Sequence, residues 1–338
     1  MKHRNLKGVW TSGKAKKELD RLNREDVKSI AVIRHAALGD MVLTRNFLLE
    51  AKKLFPQAKI TLSVVSHYMR GIPEDIIDRL HILDLRGKNK NAVFHLYRNT
   101  RELGEHDLIF DLAATSRSIW LCKLNKAKLK IGFPYRTLYR YLFYDIVVPR
   151  ADVNFEAEEM LNLLKIFGLK VTYPLQFDMP GEPVNISDPY ILYFTSASTI
   201  EKCWPAEKFS ELIQLMSDKY RGYKHFILKG IGEWESIDTI LAPLSEAKNV
   251  YPLESATTVE DIISYVKGAK LVISNDTSVR NIAITCDIPS VGIFFQTPPY
   301  RYMPQYDIHQ VVYNSDCSLP EVNDVYDAAR NLLDMSKT

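Results

Sequence analysis

From Ser29 onward, short apolar runs rich in β-branched residues alternate with longer stretches of helical periodicity. This is the rhythm of successive βαβ units, which are stable as parallel sheets covered by helices on both faces. In the first half, strands are expected at 30–35, 59–65, 81–85, 107–112, 128–133 and 146–149. The clearest helix runs from Met41 to Phe55, with Val42, Phe47, Leu48, Ala51 and Leu54 near one face and Pro56 stopping it. Between 173 and 189 the rhythm breaks at Pro174, Pro180, Gly181, Pro183 and Pro189, and then it restarts. Strands follow at 190–195, 225–228, 249–253, 270–274 and 290–295, with helices at 206–219, 235–244, 258–267, 278–286 and 321–335. The expected fold class is α/β, with two doubly wound, Rossmann-like domains at 29–175 and 190–338 joined by a linker at 176–189. The last helix is expected to pack back across that linker.

Length and composition agree with two ordinary globular domains: 338 residues, 46% apolar and 25% charged. Cys122, Cys203, Cys286 and Cys317 lie far apart, with no CxxC pair, which argues against a disulfide framework or a structural zinc site. A reducing, cytoplasmic setting is expected. No apolar run approaches the roughly 18 residues that span a bilayer, and the N-terminus lacks the apolar stretch of a secretion signal. The net charge of +3 conceals an asymmetry: residues 1–28 hold nine Lys/Arg against four Asp/Glu, leaving 35 against 37 beyond. Residues 1–28 therefore read as a basic extension, either solvated or in peripheral contact with anionic membrane.

Several enzyme signatures fail on inspection. Gly8 to Lys14 spells GxxxxGK, but Ala15 stands where a P-loop needs Ser or Thr, and no expected strand precedes it. There is no GxSxG elbow, no HExxH, no GxGxxG after a strand and no Asp-x-Asp pair. Hydrolase, zinc-protease and simple dehydrogenase chemistry lose their usual carriers, and nucleic-acid binding has no motif to support it.

Three loops do carry chemistry. Ligands of open α/β sheets bind beyond strand C-termini. The loop His35-Ala36-Ala37-Leu38-Gly39-Asp40 is expected there, where Asp40 either accepts a proton from a substrate hydroxyl or caps the following helix. In the second half, Ser196, Ala197 and Ser198, followed by Lys202 and Trp204-Pro205, combine hydroxyls, backbone N–H groups and a point charge suited to a diphosphate. Asn275-Asp276-Thr277-Ser278 ends a strand and opens a helix, so its free N–H groups and hydroxyls suit an anion, and Asp276 suits sugar hydroxyls; a plain N-cap is the alternative. Glu233, in a glycine-flanked turn, suits the vicinal hydroxyls of a ribose or is simply a solvated acid.

These segments resemble the bacterial lipopolysaccharide heptosyltransferases, glycosyltransferase family 9. IAVIRHAALGDMVLT followed by LFPQAKITLSVV is similar to the family's strand, small-residue loop, GD, and helix ending in FP-x-A-x-I. DLIFDLAATSRSIWL followed by KIGFP looks like its mid-domain segment. SASTIEKCWPAEKFSELI and SNDTSVRNIAITCDIPSVGIFF resemble its two C-terminal motifs.

The resemblance implies two facing Rossmann-like lobes of GT-B architecture and metal-independent, inverting sugar transfer with no cofactor. The donor would be a nucleotide sugar, usually ADP-heptose, and the acceptor a lipopolysaccharide core or related glycan at the cytoplasmic face of the inner membrane. It would make Asp40 the general base, set Ser198 and Lys202 at the diphosphate and Glu233 at the ribose, and place Asp276, Thr277 and Ser278 at the donor's sugar and phosphates, with Ser196 beside them by the reading of the loop above. The chain departs from the pattern at Ser278 (usually Gly), Asn281 (usually His) and Phe194-Thr195-Ser196 (usually His-Pro-Gly). A catalytically degenerate nucleotide-sugar or glycan-binding protein of the same fold is the alternative those departures raise.

Overall fold

The computed structural model describes residues 8–83, 92–133, 140–230, 236–254 and 256–335. The chain divides into two units, Met1–Phe177 and Asp178–Thr338. In the first, the order is β1 (Trp10–Thr11), α1 (Gly13–Arg21), β2 (Ser29–Ile33), α2 (Leu38–Leu54), β3 (Lys59–Val65), β4 (Arg79–Leu83), α3 (Ala92–Leu103), β5 (His106–Asp111), α4 (Ser116–Leu124), β6 (Ala127–Gly132), α5 (Arg140–Phe143), β7 (Ile146–Val147) and α6 (Glu156–Lys165). The sheet runs β1-β7-β6-β5-β2-β3-β4, parallel throughout except for β1 on β7. In β2, Ile30 to Ile33 are buried without alternation, as are Ile60 to Val65 in β3, because helices cover both faces.

Residues 8–28, read from the sequence as an extension outside the domain, instead belong to this unit. Trp10 and Thr11 pair antiparallel with Val147 and Ile146. Ser12 caps α1 by accepting from the Ala15 N–H at 3.1 Å. Ala15 and Leu19 of α1 are buried, and so is Val27 beyond it. The cue was faint: two strand residues and one nine-residue helix, diluted by lysines that keep to its exposed side.

The second unit contains β8 (Tyr190–Phe194), α7 (Ala206–Lys219), β9 (Lys224–Leu228), α8 (Asp238–Leu241), β10 (Val250–Leu253), α9 (Val259–Gly268), β11 (Leu271–Asn275), α10 (Ser278–Thr285), β12 (Ser290–Phe294), β13 (His309–Tyr313) and α11 (Val322–Met335). Its sheet is wholly parallel, in the order β10-β9-β8-β11-β12-β13. Strand β13 escapes the rhythm because only a 3₁₀ turn at Tyr300–Tyr302, rather than an α-helix, separates it from β12. The closing helix α11 buries Val325, Ala329, Leu332 and Leu333 in the same core as Phe209, Leu212, Ile213 and Met216 of α7. Its apolar face is thus spent within this unit, which replaces the expectation that it reaches back across the linker.

Two expected outcomes follow from these contacts. A Cβ built on Gly132 would lie 2.5 Å from Tyr144 Cε1, and that ring is buried, whereas a Cβ on Gly13 at the start of α1 would meet nothing within 4 Å. Gly132→Ala should therefore cost about 1–3 kcal/mol by overpacking, while Gly13→Ala should be neutral or add about 0.5–1 kcal/mol; urea unfolding of both variants compares them directly. Deleting residues 1–27 should lower the thermal midpoint, since burial of Leu19 alone is worth about 1.5–3 kcal/mol. An unchanged midpoint would return the segment to the status of a tail.

Candidate functional site

In each unit the strand order reverses at one place. The first sheet builds from β2 toward β3 and β4, then resumes on the other side with β5; the second builds from β8 toward β9 and β10, then resumes with β11. Loops leaving the two strands at such a reversal diverge to opposite faces and open a crevice beyond the strand C-termini. All the candidate loops among the described residues leave those four strands.

In the first unit, the loop after β2 delivers Asp40 into the first turn of α2, where a carboxylate also complements the helix dipole. Ala37, not Asp40, occupies the N-cap position. The Asp40 carboxylate, about a third exposed, lies 3.4 Å from Nη2 of the buried Arg34. Arg34 Nη1 donates to the Leu112 carbonyl at 3.1 Å and to Glu156 Oε1 at 3.2 Å. The other Glu156 oxygen accepts from Arg150. Two cations and two carboxylates thus join the ends of β2 and β5 to the starts of α2 and α6. Removing Glu156, which is 1% exposed, would leave buried positive charge unpaired, a loss typically of about 3–5 kcal/mol.

Next to this network, Asp111 ends β5 fully buried. Its Oδ1 accepts from the Ala113 and Ala114 N–H groups at 3.0 Å each, and its Oδ2 accepts from Tyr144 Oη at 2.8 Å. Burial pushes the Asp111 carboxyl upward, and these hydrogen bonds oppose the shift. Ala114 takes φ +48°, which turns the chain sharply away from β5 into α4. Both ring nitrogens of His35 are buried with no hydrogen-bond partner among the described residues. Burial first, and then the neighbouring His81 and Arg117, hold its pKa down to about 3, so it is neutral.

In the second unit, β8 and β11 are neighbours, with Phe194 opposite Ser274, so the loops after them meet. Asn275, fully buried, holds them together. Its Nδ2 donates to the Thr195 carbonyl at 2.7 Å and its Oδ1 accepts from the Trp204 N–H at 3.0 Å. Trp204 is anchored from behind, its Nε1 donating to the Pro320 carbonyl at 3.0 Å. Between these anchors the segment from Ser196 to Lys202 is suspended. Ser196 is buried, Ser198 is exposed, and Lys202 lies half-buried at the end of a 3₁₀ turn.

On the β11 side, Asp276 accepts from Thr297 Oγ1 at 2.8 Å, Thr277 is the N-cap of α10 and Ser278 its first residue. The Thr277 side chain makes no capping bond, and its buried hydroxyl has no partner among the described residues. The structure therefore brings Ser196, Ser198, Lys202, Asp276, Thr277 and Ser278 to one switch point and sets Asp40 at the other. Glu233, assigned to the ribose from sequence, lies outside the described residues.

Sequence reading missed the residues that hold these groups in place. Arg34 and Glu156 are 122 positions apart, and nothing local marks their pairing. Asn275 was visible inside its motif, but its bonds to Thr195 and Trp204 need the β8–β11 adjacency. Arg280 is buried against Phe294, with its guanidinium carbon 5.3 Å from the ring centroid, and donates to the Tyr302 carbonyl. Burial lowers its pKa to about 10, leaving it charged at neutral pH. A charge on an apolar helical face gives no such warning.

Comparison with known proteins agrees with this arrangement. Glycosyltransferase family 9 (heptosyltransferase) matches residues 96–326. The chain is 20% identical to lipopolysaccharide heptosyltransferase 1 of Campylobacter coli, over 84% of this chain and 88% of that one. It is 27% identical to lipopolysaccharide heptosyltransferase 1 of Salmonella typhimurium, over 80% and 89%. In fold it is similar to the Escherichia coli heptosyltransferase WaaC solved with ADP: TM-score 0.71, 17% identity, 90% of this chain and 99% of that one. A glycosyltransferase family 9 structure from Veillonella parvula gives TM-score 0.70 at 20% identity, covering 93% and 99%. The two-unit, doubly wound α/β fold expected from the sequence, of the GT-B class, is thus the one observed. Since the family matches more than half of its length, the chain belongs to glycosyltransferase family 9, the heptosyltransferases.

Proposed function

We propose that this glycosyltransferase moves a heptose-type sugar from an ADP-linked donor to a lipopolysaccharide core or related glycan, with inversion and without a metal ion. The observation that carries the proposal is the division of chemistry between the two switch points. One offers a part-exposed carboxylate 3.4 Å from a buried arginine; the other offers a lysine, several hydroxyls and a helix N-terminus. The E. coli WaaC structures hold ADP and ADP-2-deoxy-2-fluoro heptose, which makes an ADP-linked sugar the first donor to try.

In the proposed reaction an acceptor hydroxyl attacks the anomeric carbon, the new C–O bond forms, and the bond to the diphosphate breaks with its electron pair leaving on the diphosphate. The acceptor proton passes to Asp40. The charge that develops on the leaving group meets Lys202, the Ser198 hydroxyl and the N–H groups at the start of α10, a set that supplies the stabilisation a divalent ion would otherwise give. Ser196 serves this set from within, holding the loop backbone close to the phosphates. Asp276 takes sugar hydroxyls, and the unsatisfied Thr277 hydroxyl gains a phosphate partner. Ser278 adds a side chain where the family pattern has glycine; in this reading its hydroxyl donates to the donor. Glu233 remains the proposed ribose contact.

Asp40→Asn should reduce turnover by about 10²–10⁴ while leaving donor affinity within about twofold. Lys202→Ala should weaken both donor binding and turnover, binding by roughly 10- to 100-fold, because its charge meets the ground-state diphosphate as well. Steady-state kinetics paired with calorimetric donor titration separates the two. Near-normal turnover by a folded Asp40→Asn variant would move the base elsewhere, and donor binding without turnover by the unaltered protein would favour the degenerate binder. In a thermal-shift screen of ADP-, UDP-, GDP- and CMP-linked sugars, the ADP-linked sugar should give the largest rise. At 100 times its dissociation constant a ligand adds about 2.7 kcal/mol of stability.

A further inference from the structure

The outer face of α4 carries two large apolar side chains, Trp120 and Leu124, among the exposed Ser116, Arg117 and Lys123. Ile119, Leu121 and Cys122 point into the core of the first unit. On the opposite side Trp120 and Leu124 are each 47% exposed, and Leu142 of α5, beside them, is 60% exposed. Trp120 packs edge-on against Phe143, at 5.1 Å between ring centroids, and Lys123 Nζ donates to the Leu142 carbonyl, so α4 and α5 present one continuous surface. Exposed apolar side chains gathered beside one another in this way mark a candidate docking surface.

Charge narrows what docks there. The exposed polar positions on α4 include Arg117 and Lys123, and the helix has no acidic residue. A second copy of the same face would set Arg117 and Lys123 against their own counterparts, so self-pairing through this surface is disfavoured. Exposed Trp and Leu flanked by Arg and Lys is the composition of a surface that lies in the headgroup region of an anionic bilayer. The basic leader is a weaker competitor, because α1 mixes Lys14, Lys16 and Lys17 with Glu18 and Asp20 and its apolar residues face inward.

We infer that the α4–α5 surface, through Trp120, Leu124, Leu142, Arg117 and Lys123, seats the protein on an anionic membrane. The inference rests on the proposed lipid-linked acceptor, and it gives that acceptor a route: α4 begins immediately after the loop that leaves β5 at the first switch point. Arg117, in its first turn, lies close enough to His35 to influence that ring.

The test is co-sedimentation of the full chain with phosphatidylcholine vesicles and with 7:3 phosphatidylcholine:phosphatidylglycerol vesicles at 0.1 M salt. The unaltered protein should bind the anionic vesicles and bind phosphatidylcholine weakly. Each basic side chain near such a surface is worth about fivefold in partitioning, so Arg117→Gln with Lys123→Gln should lower anionic-vesicle binding roughly 25-fold. Trp120→Ser with Leu124→Ser should remove the binding that survives at 0.5 M salt, and both double variants should stay folded, with the midpoint lowered modestly by loss of the Trp120–Phe143 and Lys123–Leu142 contacts. Lys16→Gln with Lys17→Gln should change little. If the unaltered protein ignores anionic vesicles, this surface is overturned, while the acceptor reading is judged separately by the turnover and donor titrations above. If it binds but the α4 variants bind equally well, or the leader variant loses binding instead, only the location is overturned.

Discussion

Two reversals of strand order govern everything this chain can do to a substrate. A parallel sheet that grows in one direction and then restarts beside its first strand leaves two adjacent C-termini whose loops must part. Here those strands are β2 with β5, and β8 with β11. The side chains then need anchoring, because loops at a crevice are the least constrained part of such a domain. Arg34 with Glu156 supplies the anchor in the first unit, and Asn275 with Trp204 supplies it in the second. In both, buried polar groups fix the geometry while exposed ones are left to meet ligand.

The two anchors differ in kind. Around Asp40 the fixing force is ionic: Arg34 is shared between Asp40 and Glu156, and Glu156 between Arg34 and Arg150. Around Ser196 to Lys202 it is neutral, a carboxamide satisfying one donor and bonding carbonyls of the opposing loop. A neutral clasp adds no charge of its own where a diphosphate is proposed to bind, leaving Lys202, Arg280, Asp276 and the start of α10 to set the local potential. An ionic clamp beside the proposed base restrains the carboxylate's position without closing it to solvent.

The strongly periodic parts of this architecture were legible. Strand β3 and helix α7 fall on their expected residues, because one is a continuous apolar run and the other a clean amphipathic stretch that begins just after a proline. The motif loops were legible too, since Gly39-Asp40, Lys202 and Asp276-Thr277 stand where the rhythm changes. What escaped was whatever depends on distant pairing. Strand β1 is two residues long and makes sense only against β7, β13 only against β12, and Arg34 only against a glutamate 122 residues away. Gly132 looked like part of a motif, yet its physical reason, the Tyr144 ring lying against it to reach Asp111, is tertiary.

The central claim is that the two switch points take different partners, the nucleotide half of the donor going to the second unit. Hydrogen–deuterium exchange of the intact protein with and without saturating ADP tests it most directly. The account predicts protection of backbone amides in the Ser196–Lys202 and Asp276–Val279 segments, with those of His35–Asp40 unchanged. Protection confined to the His35–Asp40 loop, with the second unit unaffected, would contradict it.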